Sequence, residues 1–317
     1  MSNGRVLYIR LTVVGLALDT LDEDLEWMVK ERIDPWIAEC LTGIGHHQRC
    51  GLRKQQDDQS FELPTRLIEV DQIGSPVVRV KVSSEIQMEG QRPQYLALSY
   101  VWGKGNEPAK TTRLNLSQRK QQTDLSTLPQ TIQDAIKITR AMGIEYLWVD
   151  AVCIIQPCQD DKYLDDWTSE APKMGAYYSS AYCLISATGA ADSNEGLFME
   201  RRMAKYETKS CMIGFDEQKN AYRYLPVLDL SASQIMRKAP LMKRGWCMQE
   251  RLLSCRILHW TKNCVFWECP GTPGRSELLE PSLHKPTRLD GSNHDVFEQP
   301  TTTDTAMLIK VKDDWLR

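Results

Sequence analysis

Along the chain the apolar positions change period several times, and each change predicts an element. Leu21–Ile44 places Leu25, Met28, Val29, Ile33, Trp36 and Ile37 at helical spacing, with Pro35 and two glycines punctuating its end. Gln48–Ser60 is polar and reads as a loop, and Leu67–Val70 and Val77–Val82 predict two short strands around a Gly74–Pro76 turn. Tyr95–Trp102 (YLALSYVW) has strand length and stops at Gly103–Lys104–Gly105. Thr127, Pro129 and Gln130 then predict a helix start, because proline suits a first turn and Thr-x-x-Gln makes a capping box. Ile132, Ala135, Ile136, Thr139 and Met142 share one face of that helix, and Gly143 supplies its stop.

The alternation continues downstream. Tyr146–Val149 (YLWV) reads as an apolar strand that ends on Asp150. Trp167, Ala171, Met174, Tyr178 and Ala181 fall at helical spacing, with Pro172 either starting or kinking the helix. Cys183–Ala187 is a further strand, Trp246–Leu253 a helix, and Arg256–Trp260 with Cys264–Trp267 a hairpin across Thr261–Lys262–Asn263. Alternating elements of this length predict an α/β sheet that is mostly parallel, with flanking helices. The organisation reads as a lead-in over residues 1–90, a central domain over 91–270 and a Pro/Ser/Thr-rich tail over 271–317. That tail ends without a closing element, which reads as a truncated chain.

Composition narrows the function classes. With 39 basic and 42 acidic residues among 317, the formal charge is −3, so no basic footprint for nucleic acid is present. The apolar run Val6–Leu18 is interrupted by Arg10 and is too short to span a bilayer, so it reads as a buried strand or helix. Ten cysteines in a chain this long, with no signal peptide, predict buried free thiols and a cytoplasmic location rather than a disulfide scaffold. Nine tryptophans are an unusual number, and they cluster.

Candidate chemistry lies at strand ends, where open α/β sheets bind ligands. The first such end delivers Ser99, Tyr100, Trp102, Gly103 and Lys104; the second delivers Asp150, which could equally cap or anchor a loop. Gly103–Lys104–Gly105 is too short for a dinucleotide or Walker loop and is a turn first. In the dense block Arg244–Trp260, Gln249, Glu250 and Arg251 spread over about 200° of a helix, so only one can face a given cleft. A Glu beside an Arg is commonly a surface ion pair. No G-x-S-x-G is present, which argues against a serine hydrolase. Cys40, His46, His47 and Cys50 fall within eleven residues, and Cys40, His47 and Cys50 could supply three ligands of a structural zinc ion. The alternative is a helix end running into a polar loop.

Three segments resemble the motifs of the fungal heterokaryon incompatibility (HET) domain: YLALSYVWG (Tyr95–Gly103), LPQTIQDAIKITRAMGIEYLWVDAVCIIQ (Leu128–Gln156) and RGWCMQERLLSCRILHW (Arg244–Trp260). Asp165–Ala187 also fits the pattern, Pro172 being unusual there, and the likeness spans roughly residues 36–280. The resemblance implies a cell-death effector of fungal allorecognition with a TIR-like (flavodoxin-like) fold. TIR enzymes that cleave NAD use a glutamate in a Trp-Cys-x-x-Glu stretch, and Trp246, Cys247, Met248, Gln249 and Glu250 match that spacing. By that likeness Glu250 is the catalytic carboxylate and Asp150 its partner. Ser99, Tyr100, Trp102, Gly103, Lys104 and Trp246 would then form the nucleotide-binding surface. NAD is the expected substrate, with no cofactor required beyond the zinc ion considered above. The alternative is a non-catalytic module that works by self-association as a homo-oligomer, with the tryptophans packed in core and interface.

Overall fold

The computed structural model describes residues 21–50, 62–86, 92–159, 161–198, 209–216, 221–227, 236–262, 265–271 and 275–276. The apolar run Val6–Leu18 and the tail from residue 277 onward lie outside the described residues. The strands are β1 (Arg66–Glu69), β2 (Val77–Val82), β3 (Tyr95–Ser99), β4 (Thr123–Asp124), β5 (Tyr146–Trp148), β6 (Cys183–Ser186), β7 (Lys209–Asp216), β8 (Ala221–Val227), β9 (Ile257–Trp260), β10 (Val265–Glu268) and β11 (Arg275–Ser276). The α-helices are α1 (Leu21–Met28), α2 (Asp34–Thr42), α3 (Leu116–Gln121), α4 (Gln130–Ala141), α5 (Asp150–Cys153), α6 (Asp165–Glu170), α7 (Met174–Ser180) and α8 (Gly245–Leu253).

One sheet orders its strands β11-β10-β9-β6-β3-β5-β1-β2-β4, and β7 with β8 forms a separate hairpin. Pairing is parallel only among β9, β6, β3 and β5. These are the strands joined by long helical crossovers. Every residue of the four is buried, as continuous apolar runs require when both faces of a sheet are covered. Outside this centre the pairing is antiparallel. The sheet is therefore mixed rather than mostly parallel: the residues between β1 and β2 and between β9 and β10 are too few for a crossover and permit only antiparallel pairing, and β1 also pairs antiparallel with β5. The lead-in strands are part of the same sheet, with Ile68 of β1 opposite Leu147 of β5.

Several local details depart from the sequence pattern. Pro129 is the N-cap of α4, and Thr127 instead donates to the Asp124 carbonyl, so no capping box forms. The reason is a separate 3-10 turn at Leu125–Thr127, capped by the Asp124 side chain. The α4 face reads as expected: Ile132, Ala135, Ile136 and Thr139 are fully buried, and Gly143 takes φ +66° at its end. Arg140 reaches from the helix to the carbonyls of Val70, Ser75 and Val77, clamping the β1–β2 turn. Pro172 converts one turn, Ala171–Lys173, to 3-10 geometry between α6 and α7, since proline cannot donate the helical hydrogen bond. Trp148 at the centre meets Tyr177 and Tyr178 edge-on at 5.7 and 5.2 Å, fixing α7 against β5.

Candidate functional site

Three elements meet at the carboxyl ends of the central strands. β3 ends on Ser99, whose side chain is buried at the sheet rim. β5 runs through Val149 into Asp150, the first residue of the one-turn helix α5. Helix α8 begins after Arg244 and turns Glu250 inward while Arg251 faces elsewhere. Arg251 pairs with Glu268 at 2.8 Å, so the ion pair expected between neighbours on this helix is not what Glu250 makes.

The contacts are specific. Ser99 Oγ donates a hydrogen bond to Glu250 Oε2. Trp102 Nε1 donates to both oxygens of Asp150, at 3.1 and 3.2 Å, and the Ala151 amide donates to Asp150 Oδ1 at 2.7 Å. Asp150 thus anchors its own turn and holds an indole at once. Arg244 Nη1 donates to the Tyr100 carbonyl at 2.6 Å, which brings its charge to bear on both carboxyls. Tyr178, buried beneath, borders Glu250, and the buried Cys247 borders Ser99.

This setting shifts protonation. Burial pushes the Glu250 carboxyl up to about 7; Ser99 opposes that by hydrogen bonding, Asp150 adds to it by like charge, and Arg244 and Tyr178 counter it. Burial likewise raises Asp150 to about 6, against the Ala151 amide, Trp102 and Arg244. Cys247 is pushed up to about 12, first by burial and then by Glu250, so it is a neutral thiol and no nucleophile at neutral pH. Two half-buried carboxyls that titrate near neutrality, at strand ends, can hold or release a proton and can stabilise a developing cation.

The other predicted binding residues divide. Tyr100 is buried and donates to Asn106 Oδ1 at 2.8 Å, so it supports the site from below. Gly103 takes φ +60°, and a Cβ there would lie 1.9 Å from Asp192 Oδ2; at Gly105 one would lie 1.8 Å from Asn194 Nδ2. The two glycines serve close packing of the 192–194 loop, and a carboxylate at that spot disfavours a phosphate. Lys104 is exposed at the start of a 3-10 turn, and Trp246 is 38% exposed at the start of α8. A cleft of about 370 Å³ lined by Leu25, Ile73, Pro76, Leu125, Lys137 and Arg140 touches none of these residues.

Sequence reasoning passed over Arg244 and Tyr178. Arg244 stood at the head of the dense block and Tyr178 in an apolar helical face, so both were visible but carried no sign of a partner. It also passed over Cys269, which joins Cys40, His47 and Cys50 in one buried cluster. No helix among the described residues is long and apolar enough to cross a membrane.

Residues 95–250 match the family model described as Heterokaryon incompatibility protein (HET). No match was found among curated proteins or among solved structures.

Proposed function

Because the chain belongs to the heterokaryon incompatibility family, we propose that it is a cell-death effector of fungal non-self recognition whose site cleaves the N-glycosidic bond of NAD or a related nucleotide. The observation that carries the enzymatic reading is the Ser99–Glu250 hydrogen bond, with Asp150 close enough to raise the Glu250 proton affinity. Glycosidic cleavage passes through an oxocarbenium-like state. The bond from ribose C1′ to the pyridinium nitrogen breaks, its electron pair leaves with nicotinamide, and water supplies hydroxide to C1′ and a proton to solvent. Nicotinamide departs neutral, so the leaving group needs no acid. What the chemistry asks for is a negative charge beside C1′, and ionised Glu250 supplies it. Asp150, oriented by Trp102, accepts a ribose hydroxyl. The half-exposed Trp102 and Trp246 offer ring faces for stacking.

Purified protein incubated with NAD, and chromatography of the products, tests this. Nicotinamide release by the parent chain is expected, with a loss of at least ~100-fold in Glu250→Ala. Turnover that survives the substitution removes Glu250 from the chemistry. A second reading, self-association without catalysis, draws support from Trp246, Met248 and Leu252, which are 38, 46 and 36% exposed on the motif helix. Light scattering of parent and Met248→Glu protein separates it. A concentration-dependent oligomer lost on substitution, together with no turnover, favours the module.

A further inference from the structure

The geometry points to a structural zinc site built from Cys40, His47, Cys50 and Cys269. The four ligand atoms all lie within 4.8 Å of one another, and all four residues are buried, at 1, 1, 2 and 4% exposure. Three come from the lead-in: Cys40 near the end of α2, His47 at the close of a 3-10 turn, and Cys50 three residues on. Gly43 and Gly45, both at φ +62°, let the chain double back so that His47 returns over Cys40. The fourth, Cys269, follows β10 and lies 222 residues beyond His47.

Distances separate a ligand set from a hydrogen-bonded thiol cluster. His47 Nδ1 is 3.6 Å from Cys50 Sγ and 3.6 Å from Cys269 Sγ. A tetrahedral ion with Zn–S of about 2.3 Å and Zn–N of about 2.0 Å places sulfur and nitrogen about 3.5 Å apart, close to both observed distances. One ring nitrogen has a single hydrogen-bonding site, so it cannot serve two thiols equally. Two sulfurs equidistant from it match two edges of a coordination tetrahedron. Ligation through Nδ1 requires the proton on Nε2, and Nε2 faces Glu39 Oε1 at 3.6 Å, the carboxylate that commonly orients a metal-bound imidazole.

The chemistry of the donors selects the metal. Three sulfurs and one imidazole form a soft tetrahedral set suited to the redox-inert Zn²⁺, and four protein ligands leave no open position for catalysis. Binding releases three thiol protons and leaves a net charge of −1. The buried Arg256, on whose charge Cys40 acts, stands by to balance it. No disulfide joins Cys40, Cys50 or Cys269. The ion would staple α2 and its following turn to the β10 edge, where Trp36 and Trp267 already meet at 6.3 Å.

Full-length protein purified without chelator and analysed by elemental mass spectrometry is expected to hold about one zinc ion per chain. Replacement by Co²⁺ should give the intense visible bands of a tetrahedral thiolate site. Cys269→Ser should lose the zinc, whereas Cys158→Ser, a half-buried thiol outside the cluster, should keep it. The cobalt spectrum of the parent protein decides the matter even if Cys269→Ser fails to fold. Parent protein that carries no zinc and shows no tetrahedral cobalt bands overturns the proposal. So does a disulfide among the four, iron in place of zinc, or unchanged zinc content in a folded Cys269→Ser variant.

Discussion

Glu250→Gln tests the site through stability, independently of any substrate. Glutamine keeps the shape of the side chain and can still meet Ser99, but it carries no charge. The Glu250 carboxyl sits at about 7 in the fold against 4.5 for the free group, so the native state holds that proton more tightly than the unfolded chain does. Below about pH 4.5 both states are protonated and the group costs nothing. As pH rises to about 7 the unfolded chain ionises first, the native state binds more protons, and stability falls. Above about 7 the cost is complete. The gap is worth about 3 kcal/mol at ~1.4 kcal/mol per tenfold change in proton affinity. Water reaching this half-buried group reduces it to about 1–2 kcal/mol.

Glu250→Gln is therefore expected to be more stable than the parent by about 1–2 kcal/mol near pH 8, with the advantage vanishing toward about pH 4.5. Urea denaturation of both proteins at a series of pH values measures it. A variant destabilised equally at every pH, or a difference that does not change with pH, would refute the claim that the fold holds this carboxyl against its charge. The same substitution should abolish nicotinamide release, so that stability and activity move in opposite directions.

Three further outcomes follow from the same contacts. Ser99→Ala removes the hydrogen bond that favours ionised Glu250, so the rising limb of the pH–rate profile should move to higher pH, with turnover near pH 7 down on the order of tenfold. Trp102→Phe deletes the N–H that both Asp150 oxygens accept; it should raise the Asp150 pKa, read by carboxyl NMR titration, and cost about 1 kcal/mol of stability. Gly103→Ala puts a methyl into Asp192 at a backbone angle of φ +60°, and thermal or urea unfolding should show a loss of about 1–3 kcal/mol.

The carboxylate pair shows how far local pattern carries. Apolar runs such as YLALS and YLW announce buried strands, and their abrupt polar ends mark Ser99 and Asp150 from the sequence alone. Helical spacing identified the buried face of α4 and the existence of α8. Which side of α8 faces the sheet was not legible, because Gln249, Glu250 and Arg251 point in three directions and only packing on α7 selects one. The pairing of Arg251 with Glu268 was equally hidden, since it joins groups on separate elements.

Periodicity and residue type are local properties, and the chain by itself determined what is local: the α/β class, most elements, the strand ends that bear polar groups and three of four clustered metal-type ligands. The tertiary structure decided what depends on the meeting of distant segments. It made the sheet mixed by adding two antiparallel flanks to a parallel centre. It desolvated Glu250 beside Asp150, which raised its proton affinity far above what its sequence neighbours imply. It also brought Cys269 across 222 residues to His47. Burial and coordination are set by which surfaces close on one another, and no local spacing encodes that closure.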